Sequence, residues 1–178
     1  LTPLLHGGGQ QRGLRAGTQD VAGAAAFAVA AELAEAEREV EAHRLGALRD
    51  DLARSIRSLV PEAEILGAVS DRLPNNVHVL FPGAAGETLL FLLDQSGIAV
   101  STGSACQAGV PEPSHVVLAL GRDEREARSV LRLTLGRTSS HADVDAFLAA
   151  LPEAHRRAVA AGERAHARSS ASSLAAGP

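Results

Sequence analysis

Apolar side chains at Val21, Phe27, Val29, Leu33 and Val40 recur at roughly helical spacing through an alanine-rich stretch, which predicts a helix from about 20 to 58. Thr18-Gln19-Asp20 offers a capping side chain before it, and Pro61, which has no N–H to donate, should end it. Beyond that point the period changes. Residues 63–67 suit a short strand, and 75–81, alternating β-branched and polar residues between Pro74 and Pro82, a clearer one. Leu89, Leu90, Leu92 and Leu93 mark a buried helix over 86–96 with Gly97 at its end, followed by a short strand at 98–100. Short helices are expected at 113–120 and 123–127, a strand at 130–135, and a last helix from Asp143 to about Ala161, capped by Ser140. Strands alternating with helices imply an α/β fold in which a small sheet is covered by helices. No internal repeat is visible, and residues 162–178, rich in Ala, Ser and Arg, are expected to form a disordered tail.

Composition narrows the function classes. The 178 residues have room for one ordinary domain. A formal charge of −4 with dispersed arginines leaves no concentrated basic face, which argues against direct nucleic-acid binding. No apolar run approaches the ~20 residues that span a bilayer, and no signal pattern opens the chain, so a soluble, cytoplasmic protein without a membrane partner is expected. The single cysteine, Cys106, excludes an internal disulfide and any two-cysteine metal site, and the seven histidines lack ligand spacing, so no metal is expected. All 17 basic residues are arginine. Chemistry that needs a lysine amine must therefore be completed by residues this chain does not contain. Methionine is also absent, so Leu1 is not read as a translation start and a fragment is expected.

Three residues stand out as candidates for chemistry. Cys106 ends the run Ser101-Thr102-Gly103-Ser104-Ala105-Cys106, between a β-like and a helix-like segment. A lone cysteine is often a small buried hydrophobe, but the Gly, Ser, Ala and Gln neighbours, with Gly109 and Pro111 behind, disfavour a packed core and suit a thiol presented on a loop. Thr18 lies where a glycine-rich segment gives way to a helix N-terminus, so its hydroxyl is either a plain N-cap or a donor to a phosphate. Arg137 follows a strand through Gly136, at a place where strands hand side chains to a cleft, and is otherwise a surface ion-pair partner.

The flanks of Cys106, from Ser101 to Gly121, resemble the active-site loop of the cysteine desulfurases related to NifS and IscS, which are pyridoxal-phosphate enzymes of the class V aminotransferase superfamily. Two further segments are similar to the same family in the same order: Gly7-Gly8-Gly9-Gln10-Gln11-Arg12-Gly13-Leu14-Arg15-Ala16-Gly17-Thr18 and Leu133-Thr134-Leu135-Gly136-Arg137. Gln11 and Thr102 depart mildly from it, standing where many relatives have glutamate and serine. The resemblance implies the C-terminal part of a PLP fold type I (aspartate aminotransferase-like) enzyme. Residues 1–45 would be a remnant of the large cofactor domain with its connecting helix, and 46–161 the C-terminal small α/β domain. It further implies that Cys106 takes sulfur from L-cysteine as a persulfide, leaving L-alanine, that Arg137 binds the substrate carboxylate, and that Thr18 contacts the cofactor phosphate across a homodimer interface. Arg12 and Arg15 also match, as ligand contacts or as braces of their loop, and His115 matches as a structural residue. The implied partners are the second subunit and a sulfur-acceptor or iron–sulfur scaffold protein, for cluster assembly or tRNA thiolation. Two other readings stand beside it: a different enzyme of the same fold, such as a selenocysteine lyase or class V aminotransferase, and a non-catalytic C-terminal module, which the missing lysine fits.

Overall fold

The structure is a computed structural model that describes residues 1–103 and 113–175. The chain divides into two compact units, Leu1–Val40 and Glu41–Pro178.

The first unit starts with a glycine-rich coil. Gln10–Gly13 forms a tight turn in which Gln11 and Arg12 adopt left-handed backbone angles, φ 53° and 58°, that non-glycine residues take only when their surroundings hold them there. Helix α1 follows as Val21–Leu59, close to the predicted span. Its cap is Asp20, whose carboxylate accepts the Gly23 N–H at 2.9 Å. In this unit α1 leaves Val21, Phe27, Val29, Leu33 and Val40 exposed.

In the second unit α1 buries Leu45, Leu48, Leu52 and Ile56. Strands β1 (Glu64–Ile65), β2 (Asn76–Leu80) and β3 (Val130–Thr134) form an antiparallel sheet in that order, with Val77 opposite Leu133, His78 opposite Arg132 and Leu80 opposite Val130. Successive strand residues point to opposite faces, so this register sorts the sheet into two surfaces. One surface presents Val77, Val79, Leu131 and Leu133 to a core completed by α1, α2 (Gly86–Gln95) and α5 (His141–Ala175). Leu89, Leu93, Phe147 and Leu151 are among the side chains that fill it. The other surface carries Leu80 and Val130, which pack with Leu66, with Val117 of α3 (His115–Ala119) and with Ala127 of α4 (Glu124–Ala127). α4 begins with a capping box in which Asp123 and Glu126 exchange side-chain and backbone bonds.

Two segments differ from their expectations. Residues 98–100 form no strand: only Ser101 bridges to Arg132, and a cavity of about 260 Å³, lined by Ile98, Ala99, Val100, Thr134 and Leu135 among others, lies where a ladder would have run. α5 continues past 161 to Ala175, because alanine and arginine are good helix formers and no proline follows Pro152 within it.

Candidate functional site

Thr18 belongs to the first unit. Asp20 supplies the helix cap, so the Thr18 hydroxyl is not spent on that role. Its backbone is braced by Arg15, which donates through one terminal nitrogen to the carbonyls of Gly17 at 3.2 Å and Thr18 at 3.1 Å. The Gln10 side chain accepts the Gly17 N–H at 3.0 Å, closing the glycine-rich coil on itself. Thr18 is thus an exposed hydroxyl on a held backbone, at the foot of a helix whose N-terminus Asp20 caps.

Arg137 lies in the second unit, in a turn just beyond β3. The Leu135 N–H donates to the Asn75 carbonyl at 2.8 Å, and the Asn75 amide donates to the Leu135 carbonyl at 3.1 Å. There the ladder stops. The next residues close a turn in which the Ser139 N–H donates to the Gly136 carbonyl and the Gly136 N–H to the Ser139 hydroxyl, both at 2.9 Å. Ser140 then donates its N–H and its O–H to the Asp143 carboxylate, each at 2.8 Å, which holds that carboxyl below its usual range and starts α5. Arg137 itself is exposed, and its guanidinium forms no ion pair with a described carboxylate.

Cys106 lies outside the described residues, but both ends of its segment are placed. At the front, Ser101 and Arg132 exchange backbone bonds, Ser101 N–H to Arg132 carbonyl at 3.2 Å and the reverse at 2.6 Å, and the Gly103 N–H donates to the Ser101 hydroxyl. Gly103 has φ +80°, and a Cβ there would sit 3.4 Å from His78 Nε2 and 3.9 Å from the Ser114 hydroxyl. At the rear, Ser114 is 1% exposed and its N–H donates to the Ala127 carbonyl. The two ends therefore meet over the second surface of the sheet, at His78. His78 Nε2 and the Ser114 hydroxyl are buried and form no hydrogen bond with a described residue. Burial, with the Arg132 and Arg72 charges nearby, pushes the His78 pKa down and favours the neutral ring.

Nothing in the chain's local pattern had singled out His78 or Arg44, the second of which holds the Arg137 turn. The alternation of β2 does put His78 on the face away from the core. Which strand residue lies opposite it follows only from the register.

A class-V aminotransferase family model matches residues 5–147, and the chain belongs to that family. Among curated proteins, an IscS-like cysteine desulfurase of Mycobacterium tuberculosis is 50% identical over 157 residues, 88% of this chain and 40% of the relative. Among solved structures, a NifS-like protein superposes with a TM-score of 0.71 at 38% identity, covering 85% of this chain and 38% of that one. A NifS-like protein from Rickettsia africae does so with 0.74 at 29% identity, covering 87% and 40%. The chain thus spans about two fifths of the length of the relatives it matches, and its α/β architecture is that of part of the NifS-like fold. Among the described residues, no helix is long and apolar enough to cross a membrane.

Proposed function

We propose that the chain is the substrate-binding and sulfur-accepting portion of a cysteine desulfurase, which converts L-cysteine to L-alanine and a persulfide on Cys106. The observation that carries this reading is the 50% identity over 157 residues with a cysteine desulfurase, within a family match over residues 5–147 that contains Thr18, Cys106 and Arg137 together. In the reaction, the Cys106 thiolate attacks the substrate sulfur. An S–S bond forms as the substrate C–S bond breaks, and the electron pair left on carbon takes up a proton to give the methyl group of alanine. Arg137 holds the substrate carboxylate through paired N–H donors.

The residues present fit pyridoxal phosphate in part. Thr18 has a hydroxyl free for the phosphate, and no lysine is available for attachment. When bound, that cofactor acts as the electron sink that labilises bonds at the substrate carbon. The lysine and the remaining cofactor contacts would come from the rest of a longer protein. In that protein residues 1–45 end the large domain, 46–161 form the small domain and 162–178 a tail. A homodimer lets Thr18 serve the partner subunit's site. The persulfide passes to a sulfur-acceptor or iron–sulfur scaffold protein in the cytoplasm. A non-catalytic module that relays persulfide is the second reading, favoured by the absence of lysine.

The test joins this chain to the part of the M. tuberculosis relative that lies outside the match. The full-length enzyme should release alanine from L-cysteine, and Cys106→Ala should abolish persulfide while cofactor absorbance is retained. A cofactor-loaded enzyme that makes no alanine would overturn the desulfurase reading. The chain alone should hold no visible absorption band after dialysis, and a surviving band would show that the cofactor needs no lysine here.

A further inference from the structure

We infer that Arg44 is a positioning residue that fixes the turn presenting Arg137 to the substrate carboxylate. The inference deepens the desulfurase reading and rests on it. Arg44 stands on α1 and reaches a turn more than ninety residues away in sequence. Its guanidinium donates to the Ser139 carbonyl at 2.7 Å, the Arg137 carbonyl at 3.0 Å and the Gly136 carbonyl at 3.3 Å. These oxygens belong to residues that have left the β3 ladder. The Gly136 carbonyl already accepts the Ser139 N–H that closes the turn, and Arg44 adds a second donor there while joining it to the Arg137 and Ser139 carbonyls, so one side chain ties three points of the turn to α1.

The guanidinium is itself held. Glu41, one helical turn earlier, accepts from its Nε at 3.0 Å and from a terminal nitrogen at 2.9 Å, so all three nitrogens of Arg44 are engaged. The fork lies between a carboxylate on a helix and the carbonyls of the turn. Only a planar group with five N–H donors bridges such a pair in one orientation. An ammonium keeps the charge and loses the bridge. Glu41 is also close enough to Arg137 that the Arg137 charge, as well as Arg44, lowers its pKa. With Arg44 engaging Glu41, that carboxylate is not free to compete with a substrate carboxylate for Arg137.

The test uses the full-length enzyme. Arg44→Met and Arg44→Lys should each raise KM for L-cysteine on the order of tenfold while kcat at saturation changes far less, because a misplaced binding group weakens ground-state binding first. In the chain itself, both should speed hydrogen exchange at the Ser139 amide, which closes the turn. Arg137→Ala is the reference: combined with Arg44→Met it should give a KM no higher than Arg137→Ala alone, since the clamp acts through Arg137. If Arg137→Ala leaves KM unchanged, the carboxylate reading of Arg137 fails and the inference falls with it. If Arg137→Ala raises KM while Arg44→Met only lowers thermal stability, the clamp alone is overturned. Arg44→Lys behaving as the unaltered enzyme would also overturn it, by showing that charge without the fork suffices.

Discussion

Arg15, Arg44, Arg49 and Arg72 all spend guanidinium N–H groups on backbone carbonyls, so arginine acts in this chain as a brace as well as a charge. The same distinction separates Asp20 from Thr18. Asp20→Ala should cost about 0.5–2 kcal/mol of helix stability and speed exchange at the Gly23 amide, whereas Thr18→Ala should leave both unchanged. Equal losses from the two changes would make Thr18 part of the cap. His155 and His78 make a second prediction at this scale. Burial lowers both pKa values, for His155 against an opposing pull from Glu62 and for His78 with help from Arg132 and Arg72. The unfolded chain takes up these protons near pH ~6.5, the folded chain only below that. Stability should therefore be full above pH ~6.5 and fall as the pH drops through the folded-state values. Urea midpoints measured from pH 7.5 to 5 check this, and His155→Asn should flatten the slope.

At the scale of elements, α2 begins under a close constraint. The Gly86 N–H donates to the Arg128 carbonyl at 3.1 Å, and a Cβ on Gly86 would be driven into that same oxygen. Backbone meets backbone there, so no flexible side chain can give way. Gly86→Ala should cost roughly 1–3 kcal/mol, read as a lower denaturation midpoint with the m-value unchanged. Ile56 is fully buried where α1 meets the core, and Ile56→Ala should cost roughly 2–5 kcal/mol by the same measurement. A loss below 1 kcal/mol would place Ile56 outside the cooperative core. Residues 98–100 show the limit of pattern at this scale: alternation and β-branching allow a strand, but pairing needs a partner at the right distance, and a cavity occupies that place.

At the scale of the molecule, the two halves of α1 differ. Leu45, Leu48, Leu52 and Ile56 are covered, while Phe27 is 77% and Val40 73% exposed. Large apolar side chains left exposed on this half of α1, with Val29, Leu33 and Val40 on one side of the helix and Phe27 on another, promote association in water. The isolated chain should bind the dye ANS and sediment with concentration dependence, and Phe27→Ser with Leu33→Ser should reduce both. A strictly monomeric chain that binds no dye would count against this.

The lengths and order of most elements were legible in the sequence, because helical and alternating periods depend on neighbours along the chain. The α1 span, β2, α2 and β3 come from such local patterns, and the motifs around Thr18, Cys106 and Arg137 are contiguous runs that need no fold to be seen. The supporting residues were not legible. That Asp20 rather than Thr18 caps α1 depends on which of two neighbouring oxygens meets the Gly23 N–H. That His78 lies beneath the ends of the Cys106 segment depends on the β2–β3 register. That Arg44 holds the Arg137 turn depends on bringing α1 to the end of β3, residues with no shared period or motif. Sequence determines what is periodic or contiguous; only the packing of distant elements decides which polar groups are brought within 3 Å of one another.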